Sequence, residues 1–149
     1  HTNDAPSTIT RLQNMGTPDY LISAACQMVL AQRLARKNCK ECRIPDEDVT
    51  PKVLTDLGFT PEQASRTKAV KGKGCPKCKN TGYKGRQGVY EILVISKPIK
   101  EAILRQATTP ELREIGIKEG FQTMQDMGRR LITSGELSFR EYERVLSSN

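Results

Sequence analysis

The spacing of apolar residues divides the chain into a helical beginning, an extended middle and a helical end. Ile9, Leu12 and Met15 recur at helical spacing until Gly16 supplies a stop. Asp4 ahead of Ala5-Pro6 has the form of an N-cap followed by an early-helix proline, which together satisfy or remove amide donors that a helix start leaves orphaned. Thr17-Pro18 opens a second helix, and the same pairing returns at Thr50-Pro51, Thr60-Pro61 and Thr109-Pro110. Met28 to Arg36 fits either a helical or a strand period. The run from Gly88 to Ile95, rich in β-branched and aromatic residues, is a strand, and Met28 to Arg36 is its best partner.

Beyond Ile95 the period is helical. Ser96 begins a helix through Ile103 and Leu104, Thr109 another through Leu112 and Ile115, and Thr123 to Leu131 a third. Ser138-Phe139-Arg140-Glu141 reads as a capping box for the last helix, with Phe139, Tyr142, Val145 and Leu146 on one face. The expected architecture is α+β, with a small helical bundle after residue 95.

Two cysteine pairs, Cys39-Lys40-Glu41-Cys42 and Cys75-Pro76-Lys77-Cys78, interrupt this pattern. A two-residue gap lets both thiolates of a turn reach one ion, and two such pairs supply the four soft ligands of a closed, structural zinc site. The connection, residues 43–74, exceeds the roughly 15–20 residues of the commonest pattern, but closure entropy grows only logarithmically, so the excess costs a few tenths of a kcal/mol, about. Zinc binding of roughly 10–16 kcal/mol in small modules outweighs it. A thioredoxin-type redox pair lacks its strand-turn-helix setting, and a disulfide framework suits smaller secreted chains. If the two strands pair, the cysteines meet at one end of a hairpin and zinc clips the tip of a long insertion. Cys26, in the run Leu21 to Leu34, reads as a small buried hydrophobe outside the metal site.

Composition is ordinary for a globular chain of 149 residues, 36% hydrophobic and 28% charged, and no apolar run reaches the roughly 18–20 residues of a membrane-spanning helix. The net charge of +7 is concentrated. No carboxylate falls between Glu62 and Glu91, where Arg66, Lys68, Lys71, Lys73, Lys77, Lys79, Lys84 and Arg86 stand. A zinc tetrathiolate carries about −2, so these cations have a structural use beside the cysteines. Nucleic acid or an anionic membrane face is the functional alternative. A zinc-ribbon nucleic-acid module would interleave stacking aromatics with the lysines, and only Tyr83 and Tyr90 are near. A chaperone-type zinc module would repeat its cysteine-glycine unit, which occurs here once.

The opening His1-Thr2-Asn3-Asp4-Ala5-Pro6-Ser7, the run Ala31-Gln32-Arg33-Leu34 leading to Cys39 and Cys42, and Cys75-Pro76-Lys77-Cys78 followed by Gly82-Tyr83-Lys84-Gly85-Arg86 and Gly88-Val89-Tyr90-Glu91 together resemble the C-terminal part of PilB/GspE-type ATPases. These are the hexameric motors of type IV pilus assembly and type II secretion. The resemblance implies the distal part of a RecA-like motor domain over residues 1–95, with a zinc-binding insertion at about 39–78, followed by a C-terminal helical subdomain over 96–149. It implies a cytoplasmic location at the bacterial inner membrane, a homo-hexamer, an inner-membrane platform protein and the remainder of the motor domain as partners, and ATP with Mg2+ in the full-length parent. His1 matches the family's His-box histidine near the terminal phosphate. No Gly-x-x-x-x-Gly-Lys-Ser/Thr occurs in the sequence, so the expectation is the distal portion of a longer enzyme that does not hydrolyse ATP by itself.

Overall fold

The computed structural model describes residues 3–147. His1 lies outside the described residues, and its expected role with it. By packing, the chain forms two units that interleave in sequence, residues 1–32 with 90–124 and residues 33–89 with 125–149.

The first unit begins with α1 (Ala5–Asn14), capped as the sequence predicts. Asp4 Oδ1 accepts the Ser7 N–H at 2.8 Å and the Ser7 hydroxyl completes the capping box. The second helix, α2 (Asp19–Ala25), takes Pro18 as its N-cap without a side-chain bond, so Thr17 does not cap it. Cys26 closes α2, donating its N–H to Ile22 O, and is half-buried rather than buried. Two long strands follow in chain order, β1 (Met28–Asn38) and, after the insertion, β4 (Tyr83–Val94). They pair as expected. In the first unit the Ile95 N–H donates to Gln27 O at 2.9 Å.

The unit is completed by α5 (Lys97–Leu104) and α6 (Thr109–Lys118). Helix α6 starts one residue earlier than Thr109 suggests. Thr108 is the cap because Glu111 lies three residues beyond it and returns a bond to the Thr108 N–H, a reciprocity Thr109 could not find. Ile9, Ile22, Leu93, Ile99, Ile103 and Leu112 are its most deeply buried large side chains. The other face of its strands is apolar and open, with Met28, Leu30, Tyr90, Ile92 and Val94 between 40% and 63% exposed.

The second unit holds the remainder of β1 and β4 and everything inserted between them. That insertion contains β2 (Arg43–Pro45), α3 (Pro51–Asp56), α4 (Pro61–Arg66), β3 (Val70–Gly72) and a 3-10 turn, Pro76–Cys78. Thr50 and Thr60 cap α3 and α4 as predicted. Strands β2 and β3 are antiparallel, with Arg43 opposite Gly72 and Pro45 opposite Val70. Two more helices belong here, α7 (Met124–Thr133, apart from its first residue) and α8 (Phe139–Leu146). By packing, then, the helices after Ile95 are shared between the units rather than gathered in one bundle. On α8, Tyr142, Val145 and Leu146 are buried, while Phe139 is half-buried. No described helix is long and apolar enough to cross a membrane.

Candidate metal centre

The β2–β3 ladder brings the two cysteine pairs together. Cys42 stands one residue before Arg43, whose partner Gly72 lies three residues before Cys75. The Lys73 N–H donates to Cys42 O at 2.9 Å and carries the ladder one step further. The chain then turns back through the 3-10 turn and two left-handed residues, Lys79 and Asn80. Cys39 follows directly on β1, and its N–H donates to Gly82 O at 2.9 Å, just before β4 begins. The site therefore clips the base of the insertion, where it leaves the long hairpin, and not its tip. The pairs flank residues 43–74 in the sequence, so their meeting closes the base of the insertion, and α3 and α4 lie beyond it.

Four sulfur atoms lie within 4.8 Å of one another. Cys39 and Cys75 are 3.8 Å apart, Cys42 and Cys78 3.9 Å, and Cys75 and Cys78 3.7 Å. A Zn–S bond of about 2.3 Å sets the edge of a sulfur tetrahedron at about 3.8 Å, so the spacing fits zinc. It is nearly twice a disulfide bond of about 2.05 Å. The sulfurs also accept backbone donors: Gly74 N–H to Cys42 Sγ at 3.3 Å, and Cys75 and Gly82 N–H to Cys78 Sγ, each at 3.2 Å. Burial pushes the Cys42 thiol up to about 11 against the Gly74 donor. Burial resists ionisation at Cys78 as well, but the N–H groups of Cys75 and Gly82 outweigh it and bring that thiol down to about 6. Cys26 is not part of the cluster.

Two glycines permit the close crossing beneath the site. A Cβ on Gly72 would stand 1.9 Å from Gly82 O, and one on Gly82 would stand 2.4 Å from Gly72 O, at a φ of +79° that disfavours other residues. Asn38, buried at the end of β1, fixes the approach of Cys39. Its N–H donates to Glu136 O at 2.8 Å, and its Nδ2 donates to Gly135 O at 3.0 Å and Val70 O at 3.2 Å. Of the basic stretch, Lys71 meets Asp46 at 3.8 Å and Arg66 meets Glu62 at 3.9 Å, whereas Lys68, Lys73, Lys77, Lys79, Lys84 and Arg86 are exposed.

A polar network adjoining the site was not legible in the sequence. Glu141 does not return a bond to the N-cap of α8 as a capping box would; Ser138 Oγ alone accepts the Glu141 N–H, at 3.1 Å. Its fully buried carboxylate instead receives Arg36 Nη2 at 3.0 Å, the Arg36 backbone N–H at 2.9 Å and the Arg144 guanidinium. Burial, the largest influence, raises its pKa, but Arg144 and Arg36 overcome it and hold the carboxyl down to about 2. The Arg36 guanidinium lies 4.2 Å from the centre of the Tyr83 ring, and the Tyr83 hydroxyl lies 3.1 Å from Ser138 Oγ. One signal could have exposed Glu141: it sits four residues before Val145, on the apolar stripe of its helix.

Fold and site together describe a mixed α+β chain with four cysteines clustered within metal-binding distance. The model of the Type II/IV secretion system protein family matches residues 1–144, and the chain belongs to that family. It is 36% identical over 141 residues to the Type IV pilus assembly ATPase PilB of Myxococcus xanthus, covering 95% of this chain and 25% of that relative. Its identity to the PilB of Thermus thermophilus is 40% over 131 residues, 86% of this chain and 14% of the relative. With the Type II secretion system ATPase E of Vibrio cholerae it is 33% over 144 residues, 87% of this chain and 28% of the relative. The chain thus spans about a quarter of the length of most relatives it matches, or less.

Proposed function

We propose that this chain is the distal, zinc-binding portion of a hexameric motor ATPase that drives pilus assembly or protein secretion from the cytoplasmic side of the bacterial inner membrane. The observation that carries the reading is the cluster of four cysteine sulfurs within 4.8 Å of one another, in a chain that matches the secretion family over residues 1–144. Cys39, Cys42, Cys75 and Cys78 hold the zinc, which supplies a redox-inert cross-link between the start and the end of the insertion. Gly74, Cys75 and Gly82 orient the thiolates through their N–H groups.

ATP and Mg2+ belong to the parent motor, since the phosphate-cradling sequence is not among these residues. His1 is assigned to the terminal phosphate by its place in the family motif. The remainder of the motor domain is assigned to the open apolar face of Met28, Leu30, Tyr90, Ile92 and Val94. The inner-membrane platform protein is the partner that the motor displaces. Nucleic acid is the weaker partner, because Arg36 already covers one face of the Tyr83 ring that base stacking would use.

Steady-state hydrolysis tests the reading. The isolated chain is expected to turn over no ATP, while a parent motor containing it hydrolyses ATP and loses pilus or secretion output when Cys39 and Cys78 are both replaced by Ser. Hydrolysis by a clean preparation of the isolated chain, or unchanged output from the cysteine variant, contradicts it.

A further inference from the structure

Beside the bonds from Asn38 to Gly135 and Glu136, which stop short of α8, one side chain runs from the four-cysteine centre to the first turn of that helix. Gly82 is held by both cysteine pairs at once: its N–H donates to Cys78 Sγ at 3.2 Å, and its carbonyl accepts the Cys39 N–H at 2.9 Å. The crossing with Gly72 leaves the backbone here no room to drift while the cysteines are gathered. Tyr83 is the next residue, so the position of its Cα follows the metal site.

Its side chain then touches both groups that hold the first turn of α8. The hydroxyl meets Ser138 Oγ, the N-cap that accepts the Glu141 N–H. The ring lies against the Arg36 guanidinium, which in turn is bonded to the buried Glu141 carboxylate. These contacts join residues far apart in sequence, and all fall within one unit of the fold. Helix α8 is only two turns long and depends on such external contacts more than on its own propensity.

The geometry points to Tyr83 as a positioning residue that transmits metal occupancy of the four-cysteine centre to helix α8, so that zinc loading orders α8 and zinc loss loosens it. This rests on the zinc reading of the cysteines and extends it. A module that only stapled its own insertion would leave α8 indifferent to the metal, because Tyr142, Val145 and Leu146 provide that helix with an apolar face of its own. With Tyr83 in place, release of the sulfurs frees Gly82, and both the N-cap bond and the Arg36 stack lose their geometry together.

Hydrogen–deuterium exchange of the 149-residue chain, with and without a zinc chelator, tests this. Chelation is expected to speed exchange of the α8 amides about tenfold or more, while α5 in the other unit keeps its protection. Tyr83→Leu is expected to retain one zinc per chain yet show the fast α8 exchange whether or not zinc is bound. Tyr83→Phe keeps the ring against Arg36 and is expected to restore part of the zinc dependence. Unchanged α8 exchange on chelation of the wild-type chain overturns the proposal, as does equal zinc dependence in Tyr83→Leu, or loss of α5 protection alongside α8. Metal analysis separates the failures: a chain that takes up no zinc sinks both readings, whereas a loaded chain whose α8 ignores chelation sinks only this one.

Discussion

Single residues in this chain carry charge into places where water cannot follow. Glu141 is the clearest: its carboxylate has no exposed surface, while the side chains of its partners Arg36 and Arg144 stay 47% and 53% exposed. Water screens those arginines, so Glu141→Gln is expected to cost about 2 kcal/mol, below the roughly 3–5 of a fully buried pair, with denaturant unfolding as the measurement. The pH dependence follows from the depressed pKa. A carboxyl ordinarily near 4.5 and held at about 2 in the fold contributes stability that is fully present above 4.5 and is lost as pH falls toward 2. Unfolding midpoints should decline over that window in the wild type and decline less in Glu141→Gln. At the metal site, replacing Cys39 and Cys78 together with Ser removes two of four ligands and is expected to abolish stoichiometric zinc, whereas Cys26→Ser retains it; metal analysis of the purified variants distinguishes the two.

Elements meet through a second buried carboxylate. Glu91 on β4 alternates with the exposed Tyr90 and Ile92 and is 2% exposed, on the same side of the strand as Val89, Leu93 and Ile95. Its Oε1 accepts the Ala5 N–H at 2.6 Å and its Oε2 accepts the Met124 N–H at 2.8 Å. Each donor is the first residue of a helix, α1 and α7, so a negative group stands where two helix starts present orphaned N–H groups and positive dipole ends. Glu91→Gln would turn an amide NH2 toward one of those donors and leave it unsatisfied. The expected loss is about 2 kcal/mol, measured by thermal or denaturant unfolding, with zinc content unchanged. Strand alternation places this acid on the inward face of an otherwise apolar row, where burial requires partners.

At the scale of the whole molecule, the exposed cations Lys84 and Arg86 decide whether the insertion also meets a partner. Neither is buried, and a surface substitution of this kind typically changes stability by no more than about 0.5 kcal/mol. Lys84→Glu with Arg86→Glu in the parent motor is therefore expected to leave zinc content and melting temperature nearly unchanged. If the surface docks a partner, pilus or secretion output falls while ATP hydrolysis persists. If the insertion serves as a scaffold alone, output stays normal. Measuring output and hydrolysis on the same preparations separates the two roles.

Features that close within about four residues were legible in the chain before it folded. The caps at Asp4, Thr50 and Thr60 and the N-cap at Ser138 follow from local hydrogen bonding, and the two-residue gap within each cysteine pair is equally local, whereas Met28 to Arg36 fits either period and became a strand only by pairing with β4. Even among the caps, choosing Thr108 over Thr109 required the reciprocal bond from Glu111. Folding was needed to bring the two cysteine pairs within 4.8 Å, to set Glu91 against two helix starts, and to turn Glu141 to Arg36 and Arg144 rather than to its own cap. Those outcomes depend on which chain segments, tens of residues apart, close on one another. A carboxylate written in a sequence looks the same whether it ends in water or in a dry pocket, and burial alone forces it to find its partners.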